Sequence, residues 1–145
     1  MKKVMSVIIA TCITLSLLSQ SAYAAKKAYY VSPIYHSWDK KANGDLYFKS
    51  AKIKGNKLTI IGSFGKTNGW YSDGPISITA PYGTHIITMA KNCKIRGEGE
   101  YYYPGKNFTK SKFNKEIKRL KKKHAPIALT FCMTGNKLSN LTILY

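Results

Sequence analysis

Few side chains in this chain could do acid–base, nucleophilic or metal chemistry. The acids are Asp39, Asp45, Asp73, Glu98, Glu100 and Glu116, and the histidines are His36, His85 and His124. Glu98 and Glu100 stand two positions apart in a glycine-rich stretch and could face the same way, either as an acid–base pair or as two solvated carboxylates. His36 with Asp39 offers a dyad, yet no residue near them has the setting of an activated nucleophile. Cys93 or Cys132 beside a histidine would qualify only as a free thiol. Two cysteines with no CxxC and no clustered histidines give no metal centre, and nothing calls for a cofactor. The expectation is therefore a protein that is not an enzyme, with a small hydrolase using His36, Asp39 or the glutamates as the weakest alternative.

Cations are plentiful where acids are scarce. The whole chain has 24 Lys and Arg against 6 Asp and Glu. Between Lys106 and Lys123 stand nine basic residues and one acid. A lysine-rich helix can be merely a wet face, but this balance exceeds what solubility asks and suits an anionic polymer. A second cationic feature is an internal echo: Lys54-Gly55-Asn56-Lys57-Leu58 recurs as Thr134-Gly135-Asn136-Lys137-Leu138. It is either hairpin chemistry used twice or a device that sets Lys54, Lys57 and Lys137 beside one ligand. With the helix residues Lys118, Lys121, Lys122 and Lys123, these form the candidate polymer-binding set. Aromatic side chains form another set: Trp70, Tyr71, Tyr101, Tyr102 and Tyr103 fall in loops, where their faces could stack on sugars or bases. Capping the ends of a small barrel is the plainer use for them.

The elements that must position these residues follow from periodicity. Lys2 and Lys3, an apolar run from Val4 to Leu18 and the small residues of Ala22-Tyr23-Ala24 form the pattern of a secretory signal peptide, predicting cleavage after Ala24. The run falls short of the roughly 20 residues of a membrane span. Cleavage removes two lysines and no acids, leaving 22 cations against 6 anions, a net charge of +16. Residues 25–43 hold Pro33 among irregular aromatics and lysines, and predict an N-terminal arm with a short edge strand at 29–31. Residues 44–145 form the single domain. Its centre is a hairpin, Leu46 to Ile53 and Leu58 to Phe64, turning at Gly55-Asn56. Strands follow at Ile76–Ala80 and Thr84–Lys91, broken at Pro81. Phe113, Ile117 and Leu120 recur at helical spacing, predicting an amphipathic helix over 109–123, capped by Thr109 or Ser111 and stopped by Pro126. Ile127 to Met133 and Leu141 to Tyr145 complete the strands. Export permits a disulfide between Cys93 and Cys132, which would add about 4 kcal/mol by the chain-entropy argument; two small buried thiols fit the sequence equally well.

Three strands, a helix and two strands is the element order of the OB fold, and the chain resembles it in that order. It is also similar to small exported bacterial barrel domains, in the Gly55-Asn56 hairpin and the segment Asn92-Cys93-Lys94-Ile95. The resemblance implies a mainly β fold with one helix, a small OB-like barrel of five or six strands, and an exported location; it implies no catalytic residue. The alternative architecture is an α+β open sheet or sandwich with the helix on one face. The functional expectation is a secreted or wall-associated binding module for an anionic polymer: a wall polymer, nucleic acid or an acidic glycan. The alternative is an interaction or inhibitor module that uses the aromatic loops.

Overall fold

The structure is a computed structural model that describes residues 25–34, 48–68, 77–99 and 104–144. Residues 1–24, Trp70, Tyr71, Tyr101, Tyr102 and Tyr103 lie outside them. The elements are β1 (Lys27–Ile34), β2 (Phe48–Lys54), β3 (Lys57–Thr67), β4 (Ser77–Glu98), β5 (Lys106–Asn107), α1 (Lys110–Lys122), β6 (Ile127–Thr134) and β7 (Lys137–Leu144).

Hydrogen bonding runs β2-β3-β1-β6-β7-β4-β5, and a further β3–β4 pairing closes the sheet into a barrel of β3, β1, β6, β7 and β4. The fold is therefore mainly β with one helix, an OB-like barrel rather than an open sheet. Closure gives each of the five barrel strands a partner on both sides and leaves only β2 and β5 at the ends of the sheet order. β2 pairs with β3 from Lys54↔Lys57 to Phe48↔Gly62, and β1 takes over along β3 from Val31↔Gly65 to Tyr29↔Thr67. β1 and β2 thus act as one interrupted strand. This corrects the sequence expectation of an arm with an edge strand at 29–31. β1 is eight residues long and pairs along its whole length with β6, from Lys27↔Thr134 to Ile34↔Ile127. Pro33 is tolerated because it lies beyond the last β3 pairing, where a missing N–H breaks no ladder on that side.

β4 runs through Pro81 without a break, a second departure from the sequence reading. Gly62 pairs with Gly83 and Phe64 with Ala80, so Pro81 and Tyr82 together oppose Ser63. This bulge absorbs the proline and bends the strand. Past Met89 the strand leaves β3 and joins β7 in parallel, from Lys94↔Asn140 to Glu98↔Leu144. Cys93 and Cys132 are both free, so of the two arrangements that the sequence allowed, a disulfide or two separate thiols, the second holds. β7 separates their strands, which sets them about 10 Å apart, beyond the reach of an S–S bridge. They also face opposite ways. Cys132 shares a row with Asn140 and Lys94, whereas Cys93 packs toward the core.

The core is built from alternate residues of every barrel strand, with Leu58, Ile60, Leu129, Phe131, Leu138, Leu141 and Ile143 fully buried. Tyr30 stacks on Phe131 at 5.2 Å between ring centroids, and Phe64 meets both rings edge-on. α1 covers the barrel beside β2, burying Phe113, Ile117 and Leu120 for roughly 1.5 to 3 kcal/mol each. Its Thr109 hydroxyl accepts from Lys112 N, the expected N-cap. It ends one turn before Pro126. His124 takes a left-handed φ of 50°, His124 N donates to Lys121 O, and Ala125 N donates to Leu120 O. That is a Schellman closure with histidine where glycine is usual.

Candidate binding surface

The two Gly-Asn turns, eighty residues apart in sequence, lie on either side of the middle of β4, and their hairpins reach it from opposite directions, because β3 runs antiparallel to β4 from Lys57↔Thr88 and β7 parallel to it from Met89↔Leu138. Each has a left-handed glycine, Gly55 at φ 59° and Gly135 at φ 61°. Only glycine takes that conformation without strain, which is why both turns need it. β4 passes between them. Met89 N donates to Asn56 O at 2.8 Å, and Met89 pairs with Leu138 on the other side. Two strand spacings, about 10 Å, therefore separate the turns. Lys54 and Lys57 pair across the first turn and Lys137 pairs with Thr134 across the second, with all three lysines exposed.

Three cations join them that the sequence reading missed. Lys110 Nζ donates to Gly55 O at 2.6 Å, tying the start of α1 to the first turn. Gly135 N donates to Lys26 O, and Lys27 pairs with Thr134, so the residues that open β1 border the second turn. Lys26, Lys27 and Lys110 are exposed. Six lysines thus flank the middle of β4, Lys54, Lys57 and Lys110 on one side and Lys26, Lys27 and Lys137 on the other. The only acids among the described residues are Glu98 and Glu116, and each is paired with an arginine, Arg96 at 3.1 Å and Arg119 at 2.9 Å. A signal for Lys26 and Lys27 was visible, as they stand just beyond Ala24, where the sequence predicts cleavage. For Lys110 there was none, because only packing brings a helix start to a hairpin turn.

The helix lysines stand elsewhere. Asn114 lies against Ile53, so α1 leads away from the turn along β2. Eleven residues from Lys110 to Lys121 are about 17 Å of helix. Lys118, Lys121, Lys122 and Lys123 therefore form a separate patch at the far end of α1, where Lys121 and Lys122 also favour the helix dipole. The structure divides the sequence-predicted polymer-binding set into these two patches.

The remaining candidates have structural partners or lie outside the described residues. His85 Nε2 donates to Pro81 O at 2.9 Å and Gly62 O at 3.1 Å, and its ring packs on Phe64 at 5.0 Å, so it braces the bulge. His124 closes α1. Cys93 lines a depression of about 470 Å³ with Lys94, Ile95, Arg96, Asn107 and Phe108. Burial pushes its thiol up from 9.0 to about 11, outweighing the pull of Lys110 in the other direction. A thiol held protonated is a poor nucleophile. His36, Asp39, Asp45, Asp73 and Glu100 fall outside the described residues, as do the five loop aromatics. Among the described residues no three His, Cys, Asp or Glu gather at one place, and no helix is long and apolar enough to cross a membrane. Compared with protein-family models, with curated proteins and with solved structures, the chain matches none.

Proposed function

We propose that the chain is an exported, non-enzymatic binding module whose two lysine-bearing turns hold an anionic polymer across β4, in the extracellular space or at the cell wall. One observation carries the reading. Two turns distant in sequence lie on either side of β4, about 10 Å apart, which brings Lys54 and Lys57 opposite Lys137, with Lys110 beside the first turn and Lys26 and Lys27 beside the second. Lysine is a compact point charge that reads no sequence, so the complementary partner is a regular polyanion such as a wall polymer, nucleic acid or an acidic glycan. Export rests on the tripartite N-terminus, and the +16 charge of the remaining chain supplies long-range attraction.

The test is retention of residues 25–145 on cell wall, DNA and acidic glycans across a salt series. A variant with Lys54, Lys57 and Lys137 changed to glutamine is run beside one with Lys118, Lys121, Lys122 and Lys123 changed. The expected result is steep loss with salt and a loss of about tenfold or more in the turn variant, exceeding that of the helix variant. Equal retention of the wild type and the turn variant at every salt concentration would overturn the assignment.

A further inference from the structure

The outward side of β2, β3 and β4 carries three cross-strand rows: Lys54–Lys57–Thr88, Lys52–Thr59–Ile86 and Ser50–Ile61–Thr84. Bridge partners share one side of a sheet, and the intervening Ile53, Leu58 and Ile60 are buried in the core, so these rows face away from it. Ile86, in the middle row, is 64% exposed, and Tyr82, on the same side of β4, is 39% exposed. Lys52, Lys54 and Lys57 are exposed beside them, and no carboxylate stands in any row.

We propose that this face docks on an anionic lipid bilayer. Ile86 and Tyr82 enter the boundary between headgroups and acyl chains, while the three lysines reach the headgroups. The inference goes beyond the polymer reading, since it uses the outward side of β2, β3 and β4 and shares only Lys54 and Lys57 with the lysines of the two turns. One feature favours a bilayer over a polymer here: a protruding isoleucine gains nothing from a hydrated polyanion, whereas acyl chains remove it from water. Tyrosine suits the interface with its apolar ring and polar tip, and lysine stems lie along apolar surface while their amines stay wet. Attraction of the lysines to an anionic leaflet fades within a Debye length, so docking needs low or moderate salt.

Residues 25–145 contain every described strand and the helix, and they exclude the apolar N-terminus that would itself enter lipid. This form is sedimented with vesicles of phosphatidylcholine alone and of phosphatidylcholine with an equal part of phosphatidylglycerol. It is expected to co-sediment with the mixed vesicles and not with phosphatidylcholine, and Ile86→Asp is expected to weaken co-sedimentation about tenfold. Ile86→Ser serves if the aspartate variant does not fold. Retention on anionic polymer is expected to survive either substitution. Absence of wild-type protein from the mixed vesicles would overturn the proposal, as would equal sedimentation of wild type and variant. Loss of polymer retention in the Ile86 variants would also overturn it, by assigning the face to the polymer. Failure of wild-type polymer retention with vesicle docking intact would sink the polymer reading alone.

Discussion

At the scale of single residues, environment decides what a side chain can do, and Cys93 shows it. Burial outweighs the neighbouring Lys110 and pushes its thiol up to about 11. The sign follows from proton counting. Between pH 9 and about 11 the native state keeps a proton that the unfolded chain has released, so stability is full below this window and falls as pH rises through it. Cys93→Ser removes this component, so the stability advantage of the wild type over the variant should shrink between about pH 8 and 11 in urea titrations. A difference independent of pH would contradict the assignment. Alkylation of Cys93 at mildly alkaline pH should also run about tenfold slower than that of an ordinary thiol, because the half-buried group holds less thiolate and the greater nucleophilicity of that thiolate offsets only part of the loss. His85 and His124, which sequence alone allowed as acid–base groups, are held by carbonyls and by a helix end instead.

At the scale of elements, α1 and β2 are joined by one side chain. Asn114 Oδ1 accepts from Ile53 N at 2.8 Å and its Nδ2 donates to Ile53 O at 2.9 Å, so the carboxamide supplies both bonds that a neighbouring strand would make. β2 stands at the end of the sheet order, and a bare edge of this kind recruits other chains. Asn114→Ala leaves a donor and an acceptor without partners and should cost about 2 kcal/mol in chemical denaturation. Analytical centrifugation should also show association rising with concentration, and a variant as stable and as monomeric as the wild type would refute the capping role. The helix pattern announced Phe113, Ile117 and Leu120 but gave no hint of Asn114, because periodicity marks apolar faces and is blind to a polar residue aimed at another element.

At the scale of the whole molecule, the decisive feature is closure by β1. Tyr30 stacks on Phe131 and meets Phe64 from within the barrel wall. Tyr30→Ala should therefore cost about 3 kcal/mol, as large-to-small changes in cores do, whereas truncation on a surface arm would cost within about 0.5 kcal/mol. Thermal or urea unfolding measures the difference directly.

Local pattern determined much of this protein. Alternation in 58–64 and 127–133 determined strands, the spacing of Phe113, Ile117 and Leu120 determined the helix, and two Gly-Asn pairs determined hairpins, since each of these is an interaction among residues close in sequence. Element order was enough to suggest the OB-like barrel. Tertiary structure alone decided that residues 27–34 form wall rather than arm, because Pro33 breaks the local pattern while the ladder to β6 satisfies the backbone from afar. It alone decided that Cys93 and Cys132 stay apart, since strand order and side-chain facing are not written in spacing. The same reason governs the charge. Lysine counts are legible in sequence, but which lysines share a surface depends on the strand that runs between the two turns and on the helix that starts beside one of them.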